Sequence, residues 1–386
     1  MEGMSFLETL LDGATVEWNA LGEVTGYSPT RVDAAELDAT SFVGVDNLLA
    51  DKGGRVDASY LPNTHRLTAY EPGDILLGNI RPYLKKVWQA TNSGGCSGDV
   101  LAVRILDKCK EFVSAEFLYY LLSSDEFFLY NMQHAKGAKM PRGNKAAILN
   151  YQIPVPCPEN PDRSLAIQAE IVRILDTFTD LTRELTRELT ARKKQYHYYR
   201  DRLLTFEDGE VEWKTLGEIC ENISSGKNKD KSDVGIYPVF GSTEIIGRTN
   251  NKVYDKEQIL VARVGANAGR VNIAQGEYDV SDNTLIIQNK ENFILKYLYY
   301  TLVNMNINRF AKGAGQPLIT ATQLKNIQIP VPSPEEQARI VAILDKFDTL
   351  TNSISEGLPR EIALRQQQYE YYRDLLFNFP PPLTPP

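Results

Sequence analysis

The sequence predicts an α+β chain: two pseudo-twofold-related mixed α/β domains separated by a long antiparallel coiled coil of two helices. Three observations carry this expectation. Six short motifs recur in one order, each copy opens on short Val/Ile/Tyr runs broken by turn formers, and each closes on a heptad-patterned stretch. With 386 residues, 42% hydrophobic and 24% charged, the chain has the composition of a globular protein and is neither disordered nor collagenous.

The repeats set the boundaries. Val16-Glu17-Trp18 with Leu21-Gly22-Glu23 returns as Val211-Glu212-Trp213 with Leu216-Gly217-Glu218, and Phe117-Leu118-Tyr119-Tyr120 as Tyr297-Leu298-Tyr299-Tyr300. Ala135-Lys136-Gly137-Ala138 returns as Ala311-Lys312-Gly313-Ala314, and Ile153-Pro154-Val155-Pro156 as Ile329-Pro330-Val331-Pro332. Ile174-Leu175-Asp176 is echoed by Ile343-Leu344-Asp345, and Tyr198-Tyr199-Arg200-Asp201 by Tyr371-Tyr372-Arg373-Asp374. The expected organisation is an N-terminal helical segment over 1–15 packing near the C-terminal helix, a domain over 16–158, a central helix over 159–206, a second domain over 207–333, a C-terminal helix over 334–378 and a tail over 379–386. Proline removes a backbone donor and disfavours helix before it, so each I-P-V-P segment is expected to end regular structure ahead of the helix.

The central helix shows its partner in its spacing. Ile167, Ile171, Ile174, Phe178, Leu181 and Leu185 step by four and three, a coiled-coil seam. The seam is shifted where Thr182-Arg183-Glu184-Leu185 repeats as Thr186-Arg187-Glu188-Leu189, a four-residue stutter. Adding one such unit would lengthen a helix by about 6 Å and rotate its downstream part by about 40°, so the tandem reads as a ruler. The second helical region keeps a seam through Ile340, Ile343, Phe347, Leu350 and Ile354, with an expected break at Gly357-Leu358-Pro359. Tyr196, Tyr199, Tyr369 and Tyr372 are expected to pack in the coiled coil rather than stack on bases.

Signatures of catalysis are absent. The sequence has no phosphate-binding glycine loop, no H-E-x-x-H and no G-x-S-x-G. Asp201 with Glu212 and Lys214 fits a nuclease pattern only formally, because the first repeat has Asn19 where the pattern needs Lys. Four cysteines without C-x-x-C spacing and three histidines signal neither zinc nor a disulfide framework. With no leader and no long apolar run, the chain reads as cytoplasmic.

A net charge of -8 counts against nucleic acid unless cations are concentrated locally. They are. No acid occurs from Phe127 to Pro158, which holds Lys136, Lys139, Arg142 and Lys145, nor from Asn292 to Pro334, which holds Lys312 and Gln316. Each stretch is preceded by a basic segment, one with Arg81, Tyr83 and Lys85 and the other with Arg263, Asn267 and Arg270; Lys227, Lys229 and Lys231 lie nearby. Lysine suits the phosphate backbone, whereas Arg and Asn can read purine edges bidentately. These residues, Lys231 apart, are the expected DNA contacts. The competing reading is a coiled-coil adaptor that binds only protein.

Two variable domains, each followed by I-P-V-P and a helix carrying I-L-D and Q-Y-x-Y-Y-R-D, resemble the specificity subunit of Type I restriction–modification enzymes. The Thr-Arg-Glu-Leu tandem resembles the spacer repeat of the IC subfamily, usually Thr-Ala-Glu-Leu, so Arg183 and Arg187 depart from it. The resemblance implies two target recognition domains, each reading half of a bipartite, asymmetric DNA sequence, with the helices fixing the unread spacer. It implies no cofactor in this chain. Its implied partners are DNA, two modification (methyltransferase) subunits carrying S-adenosylmethionine for adenine-N6 methylation, and restriction subunits using ATP and Mg. It carries over no base-contacting residue.

Overall fold

The structure, a computed structural model, describes residues 6–207, 209–229, 232–291, 293–313 and 315–381. The expectations on residues 1–5 and 382–386, and on Lys231 and Ala314, lie outside these. The chain forms two compact units, Met1–Arg183 with Leu364–Pro386, and Glu184–Ala363. Both long helices are therefore shared: each unit owns one recognition-type domain and one half of each helical pairing.

In the first unit a four-stranded sheet orders the strands Thr25–Tyr27, Val100–Ile105, Ile75–Gly78 and Val87–Gln89. In the second, Cys220–Ser225, Thr284–Asn289, Gln258–Ala262 and Val271–Ala274 take the same order. The central strands, ILLG and QILVA, are buried at every position, which is why they read as continuous apolar runs rather than alternating ones. Each sheet is packed by an aromatic helix, Ala115–Leu122 or Leu295–Asn304, whose Phe117 and Leu118, or Tyr297 and Leu298, are buried.

The I-P-V-P segments do not end regular structure as expected. Gln152–Pro156 pairs antiparallel with Val16–Ala20, and Gln328–Val331 with Glu212–Thr215. A two-stranded ribbon has only edges, so a proline can sit where no ladder bond is needed. Two of the repeated motifs, V-E-W and I-P-V-P, are thus the two strands of one ribbon.

The central helix runs Pro161–Leu203, 43 residues. In the first unit Ile167, Ile171 and Leu175 enter the same core as Leu376 and Phe379, and Phe178 stacks on Tyr372 with ring centroids 5.2 Å apart. In the second unit Tyr196 joins the core with Ile340 and Leu344, and Tyr199 stacks on Phe347 at 5.6 Å. The helical pairing is an antiparallel coiled coil, and the four tyrosines are part of its packing. The C-terminal region is two helices, Pro334–Asn352 and Gly357–Phe377. Gly357 has φ of 73°, and a Cβ there would lie 2.3 Å from the Thr349 carbonyl oxygen, so the chain turns at a glycine. Pro359 falls in the first turn of the next helix, where its missing N–H costs nothing.

The helix Phe6–Leu11 places Leu7 and Leu11 in the first unit's core beside Leu376 and Phe379. Trp18 closes that corner by donating Nε1–H to the Pro380 carbonyl at 2.8 Å.

Candidate nucleic-acid interface

Each recognition-type domain builds the same pair of loops. The Lys136-Gly137-Ala138 turn is the tip of a short hairpin in which Lys136 and Arg142 exchange backbone hydrogen bonds of 2.9 and 2.8 Å, and in the second domain Lys312 and Leu318 exchange bonds of 3.0 and 2.9 Å. Gly137 and Gly313 take φ of 97° and 113°, a region that costs other residues strain. The hairpin is stitched to the loop leaving the central strand. Arg81 N donates to Pro141 O at 2.7 Å and Gly143 N to Asn79 O at 2.9 Å. Gly265 N donates to Pro317 O at 2.9 Å and Ile319 N to Arg263 O at 2.8 Å.

That second loop also matches position by position. Gly78 N donates to Lys86 O and Ala262 N to Arg270 O, both at 2.9 Å, closing loops of equal length. Left-handed backbone falls at the same two places, Arg81 and Lys85 in one loop and Gly265 and Gly269 in the other. The frame is common, and what it displays differs: Tyr83 stands where the second loop has Asn267.

The expected contact residues divide into three groups. Lys136, Lys139, Lys312, Lys227, Lys229, Arg81, Tyr83 and Gln316 are exposed, and among the described residues their charged or polar side-chain ends make no internal hydrogen bond or ion pair. Asn267 and Arg263 are half-buried, Arg263 donating to the Asp282 carbonyl at 3.3 Å. Others are engaged. Arg142 pairs with Asp99 at 3.0 Å, Arg270 with Glu244 at 2.6 Å, and the Lys145 ammonium lies 5.9 Å from the Tyr27 ring centroid. The first two pairs are solvent-exposed and worth little, so phosphate could displace them.

Lys85 is engaged more heavily than these. Its Nζ bonds Asp125 Oδ1 at 2.8 Å, and Lys52 reaches the same oxygen at 2.8 Å. Arg373 approaches the other oxygen at 3.7 Å. Partial burial pushes the Asp125 carboxyl up, but the Lys52 and Lys85 hydrogen bonds outweigh that and hold it at about 2. Lys85 thus anchors its loop from behind. Sequence charge counting missed this because Asp125 lies just outside the acid-free stretch.

Three of the ruler residues bond to neighbours on their own helix. Thr182 donates to the Phe178 carbonyl at 2.9 Å, Arg183 pairs with Asp180, and Glu188 pairs with Arg192 at 2.7 Å. Glu184, Thr186 and Arg187 are exposed, while Leu185 and Leu189 are half-buried on the seam. Bonds of this kind, three or four residues along one helix, are carried along by any unit that is added.

Two features escaped sequence reading. One is a groove of about 540 Å³ in the first domain, lined by Arg31, Asp46, Tyr60, Arg66 and Asp99 among others; its residues come from scattered loops. The other is how each domain is fastened to its helix. The repeated F-L-Y-Y/Y-L-Y-Y and I-L-D motifs were visible, but their pairing was not.

A twice-built basic loop pair beside a coiled coil defines a two-domain DNA-recognition scaffold. A family profile described as Type I restriction modification DNA specificity domain matches residues 92–192 and 209–364. The chain is 40% identical over 416 aligned positions to the Type I restriction enzyme EcoR124I/EcoR124II specificity subunit of Escherichia coli, covering 100% of this chain and 99% of the relative. It is 34% identical to the EcoprrI specificity subunit of Escherichia coli, covering 92% and 93%. A solved structure from a type I R-M system aligns with TM-score 0.63 at 22% identity over 94% of this chain and 97% of the other. The S subunit from M. genitalium aligns at 0.58 and 15% identity over 97% and 98%. These last two show the fold.

The chain belongs to the Type I restriction–modification DNA specificity subunit family. Its role is recognition of DNA rather than catalysis. The family implies no cofactor in this chain and makes methyltransferase and restriction subunits its partners. No described helix is long and apolar enough to cross a membrane.

Proposed function

We propose that this subunit reads a bipartite, asymmetric duplex site, the domain over 16–158 contacting one half and the domain over 207–333 the other. The observation that carries the reading is the same hairpin-and-loop frame built twice with different side chains on it. Residues common to both frames suit what all duplexes share, the phosphate backbone. Lys136 and Lys312 are therefore phosphate contacts, with Lys139, Lys227 and Lys229 supporting them. Residues that differ between frames suit base edges: Arg81, Tyr83 and Arg142 in the first, and Arg263, Asn267, Arg270 and Gln316 in the second. Lys145 lies at the margin of the first set.

The helical segments over 159–206 and 334–378 hold the unread spacer between the halves and dock two modification subunits. Those subunits carry S-adenosylmethionine and methylate adenine at N6; restriction subunits, with ATP and Mg, add translocation and cleavage. The Thr182–Leu189 tandem sets the spacer length, as in the IC subfamily.

The test is insertion of a third Thr-Arg-Glu-Leu unit after Leu189, read by modified-base sequencing of a host that expresses the complete system. The expected motif keeps both half-sites and gains spacer length. Altered half-sites at constant spacer length would overturn the ruler assignment.

A further inference from the structure

The aromatic helix of each recognition domain packs on its long helix through the shared apolar core and is also hydrogen-bonded to it at two points, matched between the units. At the first, a glutamine in the helix is fully enclosed. Gln168, 0% exposed, accepts from Ser114 N at 2.9 Å and donates to the Phe112 carbonyl at 2.6 Å and to Ser164 Oγ at 2.9 Å. Gln337, 2% exposed, accepts from Ile294 N at 3.1 Å and donates to the Pro332 carbonyl at 3.0 Å. Ser114 and Ile294 are the N-caps of the two aromatic helices.

The second point lies two turns further along. Tyr120 donates its hydroxyl to Asp176 Oδ1 at 2.6 Å, and Tyr300 donates to Asp345 Oδ1 at 2.7 Å. The glutamine and the aspartate are eight residues apart in both helices, about 12 Å at 1.5 Å per residue. Each aromatic helix is thus held to the long helix at its N-cap and again six residues further on. The apolar core is non-directional, so the two hydrogen-bonded points are what fix the angle of the helix most sharply, and loss of one leaves more play about the other.

We propose that Tyr120 with Asp176, and Tyr300 with Asp345, are positioning residues that set how strictly the subunit discriminates spacer length. They act by leverage, and the proposal rests on the bipartite reading. Play of about 1 Å at one end of a ~12 Å lever turns the domain by about 5°. Across about 30 Å, the breadth of a domain of this size, that moves the reading loops by roughly 2.5 Å. The shift is most of the 3.4 Å that separates neighbouring base pairs. The half-site contacts would survive, and a spacer one pair too long or too short, which also turns the half-site by about 35° about the duplex axis, would be penalised less.

The two fastenings are not equal. Lys296 adds a 2.7 Å ion pair to Asp345, and the matching position in the first unit is Glu116. The first unit therefore depends more heavily on its tyrosine.

The experiment uses the complex with its modification subunits and duplexes bearing the motif found by modified-base sequencing, with spacers of the native length and one pair more or less. Y120F removes one hydroxyl and leaves Asp176, which is exposed, with access to water, so folding is little affected. The wild type is expected to prefer the native spacer by about tenfold or more, the scale of one misplaced base contact. Y120F should reduce that preference to less than about threefold, Y300F should reduce it less, and neither should change the half-site bases preferred. D176N, which keeps an acceptor for the hydroxyl, should retain the preference. Uniform weakening on all three duplexes with the ratio intact would overturn the proposal. A wild type indifferent to spacer length would instead overturn the bipartite reading, and the proposal with it.

Discussion

The loop after the central strand is the same object in both domains, yet it is held in place by different means. In the first domain its two left-handed positions are Arg81 and Lys85, with φ of 53° and 50°; in the second they are Gly265 and Gly269, with φ of 79° and 91°. A non-glycine residue there costs about 1–2 kcal/mol. The first loop accepts that cost while Lys85 is drawn onto Asp125 together with Lys52. The second has no such choice at position 269, because a Cβ would lie 2.4 Å from Cα and N of Asn308. One frame is locked electrostatically, the other sterically. The hydrogen-bonded frame is what the repeat preserves, and the means of holding it vary.

The largest break in this comparison should come from G269A, which sets a side chain against the Asn308 backbone. A loss of about 3 kcal/mol or more is expected in denaturant unfolding. G265A should cost only about 1 kcal/mol, since no atom lies within 4 Å of its Cβ position. Similar losses from both would show that the second loop is not locked by contact.

Next in size is the contribution of the lysine common to both hairpins. K136A and K312A, each in the complex with modification subunits, should lower the slope of log affinity against log salt by about 0.9 apiece. The ratio of binding to correct and incorrect half-sites should not change. A change in half-site preference would mean that these lysines touch bases.

The smallest effect sharpens the electrostatic side. With its carboxyl held at about 2 rather than the ordinary 3.8, Asp125 stabilises the first unit above about pH 4, and that stabilisation fades as pH falls from there toward 2. D125N should melt below the wild type at pH 6, and the gap should narrow as the pH is lowered through 4. A gap independent of pH would show that the carboxylate charge is not what anchors Lys85.

Much of this architecture was legible because it is periodic or local. The 4-3 steps from Ile167 to Leu185 fix a helix and its seam with no knowledge of the partner, and Gly357 and Pro359 mark where the second helix must restart. The repeats exposed the duplication directly. Strand pairing was not legible: Pro154 and Pro330 look like terminators until Trp18 and Trp213 are seen opposite them in a two-stranded ribbon. The site was half legible for a related reason. Clustered cations such as Lys136 and Lys139 can be counted along the chain, but whether a lysine is available depends on what folds behind it. Lys85 and Asp125 are 40 residues apart. The Gln168 and Gln337 fastenings carry no charge and no periodicity, so only the folded chain reveals them.

The central claim is that one recognition unit, used twice, reads two different half-sites. It is tested most directly by sequencing modified adenines in an otherwise unmodified host that expresses this chain with its modification subunit. The account predicts a motif of two dissimilar specified blocks separated by a spacer of fixed length. A continuous or palindromic motif, or no motif dependent on this chain, would contradict it.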